Sequence, residues 1–214
     1  MSNNLHDKPA GRGCMASLSD FMISRVRVKL YKIFFDNPTE MYYVRQLTRM
    51  TGEEINAVRR ELTRMEKGSL IKKEERGNRL YYFINPSYDF FEDLLSLIAK
   101  TTGVGQDVRN NRAKLGKVKF AMLSGKFVRH KDRDANDVDL LVVGDIVMPE
   151  LAVIIQKEEQ RRQTEINYTV MTENEFIFRK SRRDPFLLSI LSKSRIMVIG
   201  DEEGLVDKSD TGES

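Results

Sequence analysis

Residues 44–68 read VRQLTRMTGEEINAVRRELTRMEKG. The simplest reading is two short helices joined at a glycine. Val44, Leu47 and Met50 form one apolar stripe at helical spacing, and Thr51-Gly52 interrupts it. Ile55, Val58, Leu62 and Met65 form the next, at i, i+3, i+7 and i+10. Gly68 ends the second helix. Two helices around a short glycine turn are a helix-turn-helix signature.

Working outward, Asp20 is placed to cap a preceding helix that runs to about Phe35. Its apolar positions are Ile23, Val26, Leu30, Ile33 and Phe34, and Asn37-Pro38 stops it. Met41 to Val44 reads as one short strand. After Gly68, Leu70 to Lys73 and Leu80 to Ile84 are β-type runs. The tip between them is Arg76-Gly77-Asn78-Arg79, whose Gly and Asn supply positive-φ turn geometry, so the pair reads as a hairpin. Helix-turn-helix followed by a hairpin is the winged-helix order. Tyr88 to Thr101 then reads as a helix with a broad stripe of Phe90, Phe91, Leu94, Leu95, Leu97 and Ile98. That breadth points to packing on two surfaces, one of them a partner chain, and hence to a homodimer.

The texture changes near Gly103-Val104-Gly105. A polar helical connector runs from Gln106 to Leu115. Val118 to Leu123 reads as a strand, Ser124 to Asn136 as a polar loop and Val138 to Val143 as a second, buried strand. Met148 to Arg162 is helical. Glu165 to Met171 alternates as a third strand, Glu173 to Arg183 and Pro185 to Leu191 are short helices, and Ile196 to Ile199 is a last strand ended by Gly200. The expected organisation is α+β. A flexible leader (1–19) precedes a winged helix-turn-helix domain (20–103). A connector (104–116), an α/β domain with a small mixed sheet (117–200) and a frayed acidic tail (201–214) follow.

Composition bounds the function. Of 214 residues, 40% are hydrophobic and 32% charged, which excludes a wholly disordered chain. No apolar run approaches the roughly 20 residues of a membrane span, and no secretory leader pattern is present, so no membrane role is expected. Cys14 is the single cysteine, and His6 and His130 are far apart. A disulfide framework, a multi-cysteine zinc site and a histidine-rich metal site are thereby excluded, and a reducing cytoplasm is expected. The net charge of +4 is too small to prove nucleic-acid binding, so arrangement decides.

The arrangement is specific. Opposite the apolar face of the second helix fall Asn56, Arg60 and Arg64, with Arg59 on a flank. Asn and Arg make bidentate contacts to adenine and guanine edges. Arg45 and Arg49 lie on the first helix, where phosphates would run, and Arg76, Asn78 and Arg79 stand at the hairpin tip. Glu53, Glu54, Glu61 and Glu66 are the acids able to pair with these arginines. Tyr43-Val44-Arg45-Gln46-Leu47, Asn56 to Leu62 and Gly77 to Tyr82 resemble the winged-helix domains of ArsR-like transcription regulators, over about residues 25–103. The resemblance implies double-stranded DNA as partner and a dimer. The metal-sensing cysteines of some members have no counterpart here.

A second constellation is Gly125-Lys126, then Asp137-Val138-Asp139 leading into Leu140 to Val143. Alternation on a strand would point both carboxylates to one face. Side by side they suit a shared Mg²⁺ or Mn²⁺, with Glu165 as a third acid on the next strand. This half resembles the minimal nucleotidyltransferase fold of the DNA polymerase β superfamily. Gly125 matches that pattern's glycine, Arg129 its loop arginine, and Asp137 and Asp139 its metal ligands. The resemblance implies a nucleoside triphosphate held by Gly125, Lys126 and Arg129, with Asp137, Asp139 and Glu165 as the catalytic set. Two positions depart from it: Lys126 stands where serine is usual, and His130 where glycine is common. Two functions follow as expectations. The first is a DNA-binding transcriptional regulator whose second domain binds a nucleotide or modifies a partner. The alternative is a metal-dependent nucleotidyltransferase targeted by its winged helix, one that resembles the antitoxin nucleotidyltransferases in transferring a nucleotide to a protein.

Overall fold

The computed structural model describes residues 24–134 and 136–206. The expected leader (1–19) and the helix cap at Asp20 lie outside them, as does the tail beyond Val206. The first described helix, α1 (Arg25–Asp36), is capped by Ser24, whose Oγ accepts from Arg27 N at 3.3 Å. A two-residue strand β1 (Tyr42–Tyr43) leads into α2 (Val44–Thr51) and α3 (Ile55–Lys67). Strands β2 (Ile71–Arg76) and β3 (Arg79–Ile84) form the hairpin, with Arg76 opposite Arg79. Only Gly77 takes the positive φ there, at 56°; Asn78 does not share it. The three strands make an antiparallel sheet in the order β1-β3-β2.

Helices α4 (Phe91–Thr101) and α5 (Gly103–Asn110) lead to the second sheet. It contains β4 (Gly116–Ser124), β5 (Leu140–Ile146), β6 (Tyr168–Met171) and β7 (Arg195–Ile199). The order is β6-β5-β4-β7, with β5 and β6 parallel and the other pairs antiparallel. A one-turn helix α6 (Gly125–Val128) follows β4, and α7 (Met148–Arg162) makes the crossover that the parallel pair requires. Helices α8 (Glu173–Ser181), α9 (Pro185–Leu191) and α10 (Glu202–Val206) cover the other face. The fold is α+β.

Burial explains the departures from the sequence pattern. The broad stripe of α4 is consumed inside the chain. Phe91 stacks on Phe35 with ring centroids 5.6 Å apart, and Leu95 and Ile98 join the main core. That core is continuous from Phe34 and Leu62 through Val104, Val108 and Leu115 to Leu123, Leu140 and Ile199. The expected polar connector therefore carries core residues, and the stripe on α4 no longer calls for a partner chain. Phe90 precedes the helix and is exposed, as is Met50. On the two-turn α2 the buried pair is Leu47 and Thr51, four residues apart, which rotates Met50 outward. A smaller core of Phe120, Met122, Leu141, Val143, Phe176 and Leu187 lies under α8 and α9. Leu205 is fully buried in it, so the first residues of the expected tail form helix α10. Among the described residues no helix is long and apolar enough to cross a membrane.

Candidate nucleic-acid interface and carboxylate cluster

The turn between α2 and α3 is built on Gly52, at φ 64°, whose N–H donates to Thr48 O at 3.0 Å. That left-handed position favours glycine. Thr51 Oγ1 donates to Leu47 O at 2.7 Å, so the last turn of α2 is closed from inside. Lys29 on α1 donates to Thr51 O at 2.7 Å and to Glu53 Oε1 at 2.6 Å, which clamps the turn to α1. Glu54 caps α3 by accepting from Asn56 N at 2.8 Å and Ala57 N at 3.0 Å. Those N–H groups hold its carboxyl below the usual range.

Glu61 sets the rotation of α3. It is buried and accepts from Ser24 Oγ at 3.0 Å, Arg27 Nε at 2.8 Å and Arg64 Nη1 at 2.9 Å. Burial pushes this carboxyl up, but the hydrogen bonds from Arg27 and Ser24 outweigh it, so it stays ionised below the ordinary range. With Val58, Leu62 and Met65 inward, Asn56, Arg59 and Arg60 are left exposed on the outer face. Arg45 is exposed on α2. Arg45, Arg59, Arg60 and Arg79 meet no carboxylate among the described residues. The expected contacts at Arg64 and Arg76 are different: Arg64 pairs with Glu61 and Arg76 with Glu74. Tyr43, which no sequence pattern singles out for this role, organises the cationic edge. Arg79 lies over its ring at 4.8 Å, and Arg49 donates to its hydroxyl at 2.9 Å. Asn78 is exposed at the hairpin tip.

Asp137 and Asp139 are each 3% exposed, but both precede β5 instead of lying on it. Asp139 still extends the ladder, donating its N–H to Asn167 O at 2.7 Å and accepting from Ser124 N at 2.9 Å, whereas Asp137 lies in the turn before it, its N–H donating to Asp134 O at 2.9 Å. Asp137 Oδ2 accepts from Lys126 Nζ at 2.8 Å and from Asp134 N at 2.9 Å, and Oδ1 accepts from Lys193 Nζ. Lys126, Lys193 and the Asp134 N–H hold this carboxyl far below the usual range, and Lys126 is raised in turn. Asp139 Oδ2 accepts from Arg133 and from Asn167 N, the latter at 2.9 Å. Asn167 also donates from Nδ2 to Asp137 O at 2.6 Å.

The expected third acid is not there. Glu165 precedes β6 and is exposed; Asn167 stands beside the two aspartates. Among the described residues no three His, Cys, Asp or Glu side chains are placed to share a metal ion. Both oxygens of Asp137 are occupied by ammonium groups. This donor set does not fit a divalent cation unless Lys126 and Lys193 leave. The phosphate-binding expectation meets similar competition. Gly125 N–H donates to Ser194 O at 2.7 Å, and Arg129 bonds to Gly125 O at 3.1 Å and pairs with Glu92 on α4. Lys193 carries no sequence signal of its own, because the register of β4 on β7, with Ser124 opposite Arg195, is what brings it to Asp137. Comparison of the chain with protein-family models, curated proteins and solved structures found no match.

Proposed function

We propose that this chain is a duplex-DNA-binding regulator whose first half acts as a winged helix-turn-helix. One observation carries the reading: the outer face of α3 presents Asn56, Arg59 and Arg60, exposed and without carboxylate partners among the described residues. Those residue types read base edges in the major groove. Arg45 on α2 and Arg79 on the hairpin flank that face as phosphate contacts. The second half is read as a nucleotidyltransferase-like scaffold, which its small mixed sheet supports. The lysines on Asp137 favour a structural or binding role for it over metal-dependent transfer.

The test is duplex binding followed by fluorescence anisotropy as salt is raised. Affinity falls steeply with salt, because arginine–phosphate contacts release counterions. Arg60→Ala weakens binding by about 1–3 kcal/mol and relaxes base preference at one position. Isotherms that neither salt nor Arg60→Ala moves would remove α3 from the interface.

A further inference from the structure

The end of α8 carries a second basic surface that the α3 face does not use. Residues 178–183 are Phe178-Arg179-Lys180-Ser181-Arg182-Arg183. Two residues earlier, Phe176 anchors the helix in the smaller core. Phe178 instead turns out and is 60% exposed, with the Arg182 guanidinium 5.4 Å from its ring centroid. Arg179 is committed to Glu175 and Asp184. Lys180 lies over the Phe176 ring at 5.6 Å, and Arg182 and Arg183 are exposed. None of these last three meets a carboxylate among the described residues.

The backbone at Arg183 adds a separate observation. Its φ is 51°, its N–H donates to Lys180 O at 3.1 Å, and the next N–H, of Asp184, donates to Arg179 O at 2.9 Å. This is a helix-ending turn in which glycine is the least strained residue. The chain holds an arginine there against the local backbone preference, so its side chain is present at a cost to the fold.

We propose that this surface binds single-stranded nucleic acid. Three uncommitted cations match a phosphate backbone in charge. An exposed phenyl ring offers a face on which an unpaired base stacks, and an adjacent guanidinium extends that platform. Duplex bases already stack on one another and leave such a ring nothing to do. The surface lies on a different element from α3. The chain leaves β6 at Met171, opposite Val143, and re-enters the sheet at Arg195, opposite Ser124. Helices α8 and α9 therefore carry it back toward the end of the sheet that holds Asp137 and Lys193. The proposal stands apart from the duplex-binding reading and survives its failure.

The experiment is anisotropy of a labelled single-stranded oligonucleotide of about 12 nucleotides, a length within known single-strand site sizes. The full chain is compared with Phe178→Ala, with the double change Arg182→Ala and Arg183→Ala, and with Arg183→Gly. Phe178→Ala and the double change each weaken binding roughly tenfold. Arg183→Gly weakens binding yet raises the thermal midpoint, a split that a merely structural arginine would not give. The proposal is overturned if the wild type does not bind the oligonucleotide, or if Phe178→Ala leaves the affinity intact. Equal losses on a duplex of the same length, or a preference for anionic phospholipid vesicles over the oligonucleotide, also overturn it.

Discussion

Asp137 shows how single residues decide what the second half does. Its carboxylate is buried, and two lysines and a backbone N–H satisfy it. Asp137→Asn keeps the shape but removes the charge that holds Lys126 and Lys193. Losing these charge-assisted hydrogen bonds to a buried carboxylate lowers the thermal midpoint. Added Mg²⁺ leaves the wild-type midpoint where it was, because a ligand stabilises only a state that binds it. A midpoint that rises with Mg²⁺ in the wild type and not in Asp137→Asn would mean that the metal displaces the lysines. His130 is a second such residue. It sits at φ 51°, and its Nε2 is buried without a partner among the described residues. Burial, helped by the Arg162 charge, pushes its pKa down from 6.5 to about 4. The folded chain thus refuses a proton that the unfolded chain accepts below pH 6.5. Stability is lost as pH falls from 6.5 toward about 4. His130→Asn, which tolerates the left-handed backbone, flattens that pH dependence in urea titrations at pH 7 and pH 5.

At the scale of elements, sequence periodicity is a good guide where one helix face is buried and a poor one where tertiary register decides. The stripe of Val58, Leu62 and Met65 defines α3 and its outer face from the sequence alone, because three buried positions at helical spacing leave the rest to solvent. The aspartates are a different case. The apolar run begins right after them, so periodicity draws both onto β5, yet only Asp139 joins the ladder, bonding Ser124 and Asn167, while Asp137 N–H turns back to Asp134 O. Helix α4 departs for another reason. A broad stripe says that two surfaces cover a helix, not whether they belong to one chain. Here α1 covers one side, and α5 and β7 cover the other. Leu95 is fully buried in that junction. Leu95→Ala costs about 2–5 kcal/mol. It lowers the unfolding midpoint reported by probes in either half, and a loss confined to one half would separate the halves energetically.

Across the whole molecule, the two halves behave as one body because one apolar core runs through both. Polar contacts reinforce the junction. Glu158 is buried against Arg161 and Arg162, and Arg161 reaches Asp36 on α1. Arg162 packs 3.9 Å from the Phe127 ring centroid, and Arg129 pairs with Glu92 on α4. The second half therefore sits in a fixed relation to α3, and on the proposed reading whatever it binds is held at a fixed place relative to the DNA. The central claim is that α3 lies in the major groove, and guanine N7 reports on that directly. The measurement is methylation protection on a duplex selected by the full chain from a random pool, repeated with Arg60→Ala. The wild type is expected to protect guanines within the selected site, and Arg60→Ala to lose protection at one base pair while keeping the rest. A pool that yields no preferred duplex, or protection that Arg60→Ala leaves unchanged at every guanine, would contradict it.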